Sequence, residues 1–258
     1  MLRSRVIPCL LVHNKGLVKT VKFKDPKYVG DPINAVKIFN EKEVDELIVL
    51  DIDATADQVE PNYQMINHLA AECRMPLCYG GGVKTAEQAQ RIIKLGVEKI
   101  ALSSALLERP ELAEEIAEVV GLQSVVAVLD VKKTLFGGYE LYTHNGKKKV
   151  KQDLFAMINR LAEIGIGELV INSIDNDGVM KGYDLKLAER VRDAVDLPLT
   201  VLGGAGSSSD VLKLVERFKV IGAAAGSLFV FKGVYKAVLI SYLSSEERRR
   251  VEGIADAV

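Results

Sequence analysis

Glu46-Leu-Ile-Val-Leu-Asp-Ile-Asp53 recurs further along the chain as Glu168-Leu-Val-Ile-Asn-Ser-Ile-Asp175, and Met75-Pro-Leu-Cys-Tyr-Gly-Gly-Gly82 recurs at the same offset as Leu197-Pro-Leu-Thr-Val-Leu-Gly-Gly204. A third pair sets Val6-Ile-Pro-Cys-Leu-Leu-Val12 against Val125-Val-Ala-Val-Leu-Asp-Val131, which places Leu11 opposite Asp130. Each copy is a short apolar run rich in Val, Ile and Leu, the form of a parallel strand buried on both faces. A doubly wound open sheet has no reason to repeat its second and third strands at this spacing, whereas a barrel duplicated from a half-barrel does. The predicted fold class is therefore α/β, a (β/α)8 TIM barrel built from two duplicated half-barrels, with residues 1–258 forming a single domain.

Working outward, candidate strands begin near Val6, Leu47, Leu77, Ile100, Val125, Leu169, Leu199 and Val220. Amphipathic stretches between them, such as Pro32 to Glu43, Thr85 to Leu95, Glu111 to Val120, Leu154 to Ile164 and Ser209 to Phe218, have helical periodicity. Two polar inserts break the alternation: His13 to Gly30 after the first strand and Lys132 to Lys149 after the fifth. Both follow strand C-terminal ends, where barrel enzymes build their sites. The second insert carries Gly137-Gly138 and reads as a small hairpin. The first carries Lys15, Lys19, Lys22 and Lys24 and reads as a mobile lid.

Glycines and hydroxyls gather at the same ends. Gly80-Gly81-Gly82 closes the third strand and Ser103-Ser104 the fourth; the second half repeats the device with Asp177-Gly178, Gly203-Gly204-Ala205-Gly206 and Gly226-Ser227, the last pair opening the final helix. Glycine lets a ligand approach backbone N–H groups, and hydroxyls add donors, so such clusters suit anions. Tight strand-to-helix turns would use the same glycines. Two symmetric clusters point instead to a phosphorylated small-molecule substrate with two anionic ends. Asp130, at the end of the fifth strand, is the candidate proton carrier, and a capping aspartate is its alternative. Asp51 and Asp177 also end strands and are candidate substrate contacts, although Asp177 equally suits orienting the backbone around Gly178. Lys19 is the candidate ligand contact on the lid, with a solvated surface lysine as its alternative. His13 and His144 have no metal-site spacing, and neither a metal nor a cofactor is expected.

At the opposite ends of strands one, two, four and six, Arg5, Glu46, Lys99 and Glu168 each stand just before an apolar run. They read either as ordinary strand-start charges or as an inward ring closing the barrel axis while admitting a small polar molecule.

Composition limits the partners. The 258 residues are 48% hydrophobic, and 34 basic against 35 acidic residues leave a formal charge of −1. No global positive field exists to hold nucleic acid or an anionic membrane, so neither is expected. Cys9, Cys73 and Cys78 are an odd set without metal-type pairing, and the chain does not open with a charged segment followed by a long apolar run. The expectation is a reduced, soluble, cytoplasmic protein.

Arg5-Val-Ile-Pro-Cys-Leu10, Gly30-Asp31-Pro32, Asp45-Glu-Leu-Ile-Val-Leu-Asp51, Gly80-Gly81-Gly82, Ser173-Ile-Asp-Asn-Asp-Gly178 and Gly203-Gly-Ala-Gly206 together carry a resemblance. Over essentially its whole length the sequence resembles the cyclase subunit family of imidazole glycerol phosphate synthase in histidine biosynthesis. That resemblance implies a glutaminase subunit as heterodimer partner and ammonia passing through the barrel to a bis-phosphorylated ribulosyl substrate. It implies an ammonia gate at Arg5, Glu46, Lys99 and Glu168, a catalytic aspartate at Asp130 and the loop lysine at Lys19. Phosphate contacts carry over to Gly82, Ser103, Ser104, Asp177, Gly178, Gly204 and Ser227, with Ser103 departing from the family's usual asparagine. The family's second catalytic aspartate falls on Leu11, and a leucine transfers no protons. The Cys-Leu-Leu-Val stretch and Leu17-Val-Lys-Thr-Val-Lys-Phe23 resemble a paralogous branch associated with bacterial surface polysaccharide. That branch implies acetamidino-sugar formation with an amidotransferase as a further partner. A histidine-pathway cyclase and a non-catalytic ammonia conduit remain the alternatives.

Overall fold

A computed structural model describes residues 3–255; residues 1, 2 and 256–258 of the domain expected over 1–258 lie outside the described residues. Eight parallel strands form the barrel: β1 (Arg5–His13), β2 (Leu47–Asp51), β3 (Leu77–Gly80), β4 (Lys99–Leu102), β5 (Val125–Lys133), β6 (Glu168–Ser173), β7 (Leu199–Leu202) and β8 (Gly222–Ala225). Each pairs with the next, and β8 pairs with β1, so the sheet closes. Around it run α1 (Pro32–Glu41), α2 (Tyr63–Glu72), α3 (Ala86–Lys94), α4 (Leu112–Val120), α5 (Leu154–Ile164), α6 (Leu185–Ala194), α7 (Ser208–Phe218) and α8 (Ser245–Ala255). This is the (β/α)8 barrel expected from the repeat. Among the described residues, no helix is long and apolar enough to cross a membrane.

The strand register carries the duplication. Leu47 pairs with Leu77 in the first half as Leu169 pairs with Leu199 in the second, and Leu11 pairs with Leu50 as Asp130 pairs with Asn172. Helix starts are set locally. Asp31 caps α1 by accepting from the Asn34 N–H, with Pro32 in the first turn where its missing N–H costs nothing. Ser207 and Asp210 form a reciprocal capping box on α7.

Side chains alternate along β1. Val6, Leu10 and Val12 join the apolar layer between strands and helices, whereas Ile7, Cys9 and Leu11 face the axis with Ile48, Leu50, Val128 and Leu202. Burying each large apolar side chain of the outer layer, such as Phe39 or Ile66, contributes on the order of 1.5–3 kcal/mol. The inward row starts at Arg5 at one mouth and ends at His13 at the other, because strand side chains repeat every second residue.

Several expectations need correction. The segment expected as a mobile lid is a β-hairpin, Gly16–Val21 against Lys24–Gly30, whose first strand pairs with the end of β1. Leu17, Val18 and Val29 are buried beneath it, so it has a core of its own. Gly226-Ser227 does not open the final helix but a single turn, Ser227–Val230; the final helix is α8. The last strand begins at Gly222 rather than Val220. Asp177 does not end β6, which stops at Ser173, but sits in the turn beyond. The second insert is the small hairpin expected, with β5 continuing to Lys133, Gly137-Gly138 in the turn and Tyr139–Thr143 returning.

Candidate active site

A cavity of about 400 Å³ opens at the C-terminal ends of the strands. Asp130, Lys19, Asp51, Gly82, Ser103, Ser104, Asp177, Gly178, Gly204, Gly226 and Ser227 all line it, although they come from all over the chain. The fold brings them together because each lies towards or just beyond the C-terminal end of a barrel strand or, for Lys19, on the hairpin folded over β1.

The glycines make tight turns on the cavity wall. Gly82 and Gly204 have positive φ, +74° and +117°, and a Cβ on Gly204 would stand 2.1 Å from the Gly182 carbonyl oxygen. Turn geometry thus requires glycine, and the turns lie on the cavity wall. The Ser103 hydroxyl is buried without a partner in the protein, and Ser104 starts the short helix Ser104–Glu108 beside it. A buried hydroxyl left unpaired costs free energy until a ligand supplies its partner.

Asp130 sits on the cavity wall and accepts a hydrogen bond from Asn172 Nδ2 at 2.9 Å. Burial pushes its carboxyl up to about 7, against the opposing pull of the Asn172 amide. A carboxylate held near neutrality can both take and return a proton. Asn172 Oδ1 is itself buried and unpaired. At the equivalent place in the first half stand Leu11 and Leu50, both apolar and packed against the interior cluster.

Lys19 is not a solvated surface lysine. It is 5% exposed, and its Nζ donates to the Cys9 carbonyl at 2.6 Å. Burial lowers its pKa, against the charge of Asp177, so the ammonium is held less firmly than on a surface lysine. Gly226 makes the room, since a Cβ there would stand 2.5 Å from Lys19 Nζ. Asp177 ties the hairpin down: its Oδ2 accepts from Thr20 Oγ1 at 2.7 Å and from the Phe23 N–H at 3.2 Å. Asp51 accepts from the N–H groups of Asp53 and Ala54 at 3.0 and 3.1 Å, capping the turn after β2. Burial raises the carboxyls of both Asp177 and Asp51.

Sequence reasoning missed several wall residues. Asn172 was visible in the repeat as a polar residue opposite Leu50, but its contact with Asp130 follows only from strand register. His13 and His144, which lack metal-site spacing, both line the cavity. His13 Nδ1 lies 2.6 Å from Asp53 Oδ1, a pair that no spacing rule signals because it joins the end of β1 to the turn after β2. Among the described residues, no group of three or more His, Cys, Asp or Glu side chains could hold a metal ion.

At the other mouth the four strand-start charges form one ring. Arg5 binds Glu46 and, at 2.8 Å, Glu168; Lys99 binds the same two carboxylates at 2.7 and 2.9 Å. Thr200 Oγ1 donates to Glu168 at 2.5 Å. Both glutamates are nearly fully buried, so the reading as ordinary solvated charges does not describe them. The ring crosses the end of the barrel axis, with the apolar interior between it and the cavity.

A family model described as histidine biosynthesis protein matches residues 5–236. The chain is 60% identical over 251 residues to "Putative imidazole glycerol phosphate synthase subunit hisF3" of Vibrio vulnificus, covering 97% of this chain and 96% of that protein. It is 54% identical to "Putative imidazole glycerol phosphate synthase subunit hisF2" of Pseudomonas aeruginosa, covering 94% and 96%. "Imidazole glycerol phosphate synthase subunit HisF" of Streptococcus sanguinis is 37% identical over 229 residues, covering 89% and 91%.

Proposed function

The chain belongs to the histidine biosynthesis protein family, among the HisF-like cyclase subunits of imidazole glycerol phosphate synthase, and on that premise we propose that it receives ammonia from a glutaminase subunit and uses it on a phosphorylated acceptor. In this reading residues 1–258 act as one barrel domain. Ammonia enters through the ring of Arg5, Glu46, Lys99 and Glu168 and travels along the axis to the cavity. The substrate's two phosphate ends rest on backbone N–H groups around Gly82 and on Ser103 and Ser104 at one side, and on Gly178, Gly204, Gly226 and Ser227 at the other. Asp51 and Asp177 hold the turns that shape these grips, Lys19 contacts the ligand, and Asp130 moves the proton.

The finer reading is that the acceptor is a sugar of surface polysaccharide, converted to its acetamidino form with an amidotransferase as further partner. The observation that carries it is Leu11. It occupies the position equivalent to Asp130 and packs with Leu50 into the interior, so half of a two-carboxylate site is apolar. Overall identity is 54–60% to the hisF2 and hisF3 proteins and 37% to the Streptococcus sanguinis subunit. A second reading, cyclisation in histidine biosynthesis, is favoured by the family match and by the glycines and hydroxyls that line the cavity wall.

Turnover of the bis-phosphorylated ribulosyl aminoimidazole substrate with an ammonium salt, by the wild type beside Leu11→Asp, tests the choice. The diverted reading expects slow wild-type turnover and a gain of about 10²-fold to 10⁴-fold on restoring the carboxylate, the range for one general acid or base. Wild-type turnover as fast as that of Leu11→Asp would overturn the diversion and leave the histidine-pathway reading.

A further inference from the structure

We infer that His13, oriented by Asp53, is a second proton-transfer residue of this cavity, standing one layer above the place where Leu11 supplies no carboxylate. The inference rests on the proposed function, because it assigns a role in the same site.

Three features of the geometry carry it. His13 follows Leu11 by two residues on β1 and so projects from the same, axis-facing side of the strand, about 6.6 Å further towards the cavity mouth. Both residues line the cavity that also holds Asp130. Asp53 grips two atoms at once: Oδ1 lies 2.6 Å from His13 Nδ1, and Oδ2 accepts the Asn14 N–H at 2.7 Å. The carboxylate is thereby fixed by the backbone, and the imidazole is fixed by the carboxylate.

The tautomer follows from the partners. A carboxylate takes a hydrogen bond, so Nδ1 carries the proton and Nε2 presents a lone pair. Asn14 Nδ2, 3.0 Å from Nε2, donates to that lone pair. Asn14 is exposed, and a ligand group arriving in the cavity can replace it. A histidine with one nitrogen on a half-buried, backbone-anchored carboxylate and the other in a cavity-lining position has the arrangement of a general base with its orienting group. His144 lines the cavity as well, but its Nδ1 meets only the neighbouring Thr143 hydroxyl, at 3.0 Å, and no carboxylate holds it.

The step it serves is the addition of ammonia to a carbonyl of the acceptor. The nitrogen lone pair forms the C–N bond, and the carbonyl π pair moves to oxygen. Nε2 takes a proton from the nitrogen, and the Asp53 carboxylate stabilises the imidazolium. The same proton is returned to the oxygen, and a second transfer from nitrogen to the departing hydroxyl releases water. One carbonyl and one ammonia give one imine and one water, and the imidazole ends neutral. Asp130 faces the same cavity with a carboxyl suited to the complementary transfers.

The test uses the full chain with the bis-phosphorylated ribulosyl aminoimidazole substrate and an ammonium salt. Binding is measured by calorimetry, and product is measured by mass spectrometry in single turnovers with enzyme in excess. His13→Gln is expected to bind the substrate as wild type does, within about threefold, and to lose at least about 10²-fold of the wild-type rate. Asp53→Asn should fall between them, and His68→Gln, on the exposed face of α2, should match wild type. Introducing His13→Gln into the Leu11→Asp protein should cost far less than it costs in wild type, because the restored carboxylate takes over the transfer. A purely structural His13 would show no such dependence on residue 11. Equal rates for His13→Gln and wild type would overturn the inference, as would a wild type that binds the substrate without turning it over. Absence of any binding would overturn the histidine-pathway acceptor in the proposed function, and this inference with it.

Discussion

Leu11 and Asp130 occupy the same place in the two halves of the barrel, Leu11 beside Leu50 and Asp130 beside Asn172. The apolar pair closes the interior, whereas the polar pair leaves a carboxyl pushed by burial up to about 7 and an Asn172 oxygen without a partner. The second half therefore sacrifices stability where the first half does not, a common cost of a working site.

That cost is measurable at Asp130. Its folded pKa is raised above the unfolded value, so its favourable contribution is complete below about pH 4 and is lost as pH rises through about 7. Asp130→Asn removes the titration, keeps an oxygen for Asn172 Nδ2 and offers an amide N–H to the unpaired Asn172 oxygen. Denaturant unfolding should find the variant more stable than wild type by roughly 2–4 kcal/mol at pH 8 and nearly equal at pH 4. Ammonia-dependent turnover should disappear. Equal stabilities at pH 8 would show that Asp130 carries no burial penalty.

The ring at the other mouth makes the opposite prediction. Glu168 is pulled upward by burial, but Arg5 and Lys99 hold its carboxyl below the ordinary glutamate value. Its stabilising contribution is thus present above the unfolded glutamate pKa and is lost as pH falls through the lower folded value. Lys99→Met leaves Glu46 and Glu168 to share Arg5 alone. Removing one partner from a buried ionic cluster costs about 3–5 kcal/mol. Thermal unfolding should show the full loss near pH 7 and a shrinking difference from wild type as pH falls through the lowered folded value of Glu168. A loss independent of pH would mean that Lys99 acts through packing alone.

How far the sequence announced all this differs from residue to residue. The barrel was legible because duplication wrote the same strands twice; the four charges were legible as strand starts, but ordinary strand-start charges have the same pattern, and only the contacts across the axis show the ring. Lys19 and its hairpin were less legible. The sequence from Lys15 to Lys24 looks like a solvated loop, and only the pairing of Gly16–Val21 with β1 shows that alternate residues turn inward. Asn172, Asp53 and His13 act through contacts between different strands and loops. Local pattern contains no record of such contacts, and strand register supplies it.

Lys19 offers a third test. Its Nζ is buried against the Cys9 carbonyl, and Gly226 leaves the space for it. A methyl group at residue 226 would meet the end of a flexible side chain at 2.5 Å and the Cys9 carbonyl oxygen at 3.2 Å, so the fold should survive with a small adjustment while Lys19 is displaced. Gly226→Ala should therefore behave like Lys19→Met: nearly wild-type unfolding, but binding of the bis-phosphorylated substrate weakened by about 10-fold, as expected for the loss of one charge-assisted hydrogen bond. Calorimetry on the two single variants and the double variant checks the shared cause, since the double should be no weaker than Lys19→Met.

Asp177 sets the position of that hairpin. Its Oδ2 receives the Thr20 hydroxyl at 2.7 Å and the Phe23 N–H at 3.2 Å, and the Lys22 N–H reaches the Asp177 carbonyl at 2.9 Å. Next to it, a Cβ on Gly178 would stand 2.0 Å from the Thr20 carbonyl oxygen, so the β6 turn and the hairpin are in backbone contact. Asp177→Ala removes both side-chain bonds, which at about 1–3 kcal/mol for a charged acceptor is a large part of what holds a short hairpin. Asp177→Asn keeps an oxygen for both donors and should lose much less. Amide hydrogen exchange should accelerate across residues 16–30 in Asp177→Ala, while the barrel strands keep their wild-type protection. Acceleration spread evenly over the barrel would mean that Asp177 supports the whole fold, and the hairpin would then owe its place to Leu17, Val18 and Val29 alone.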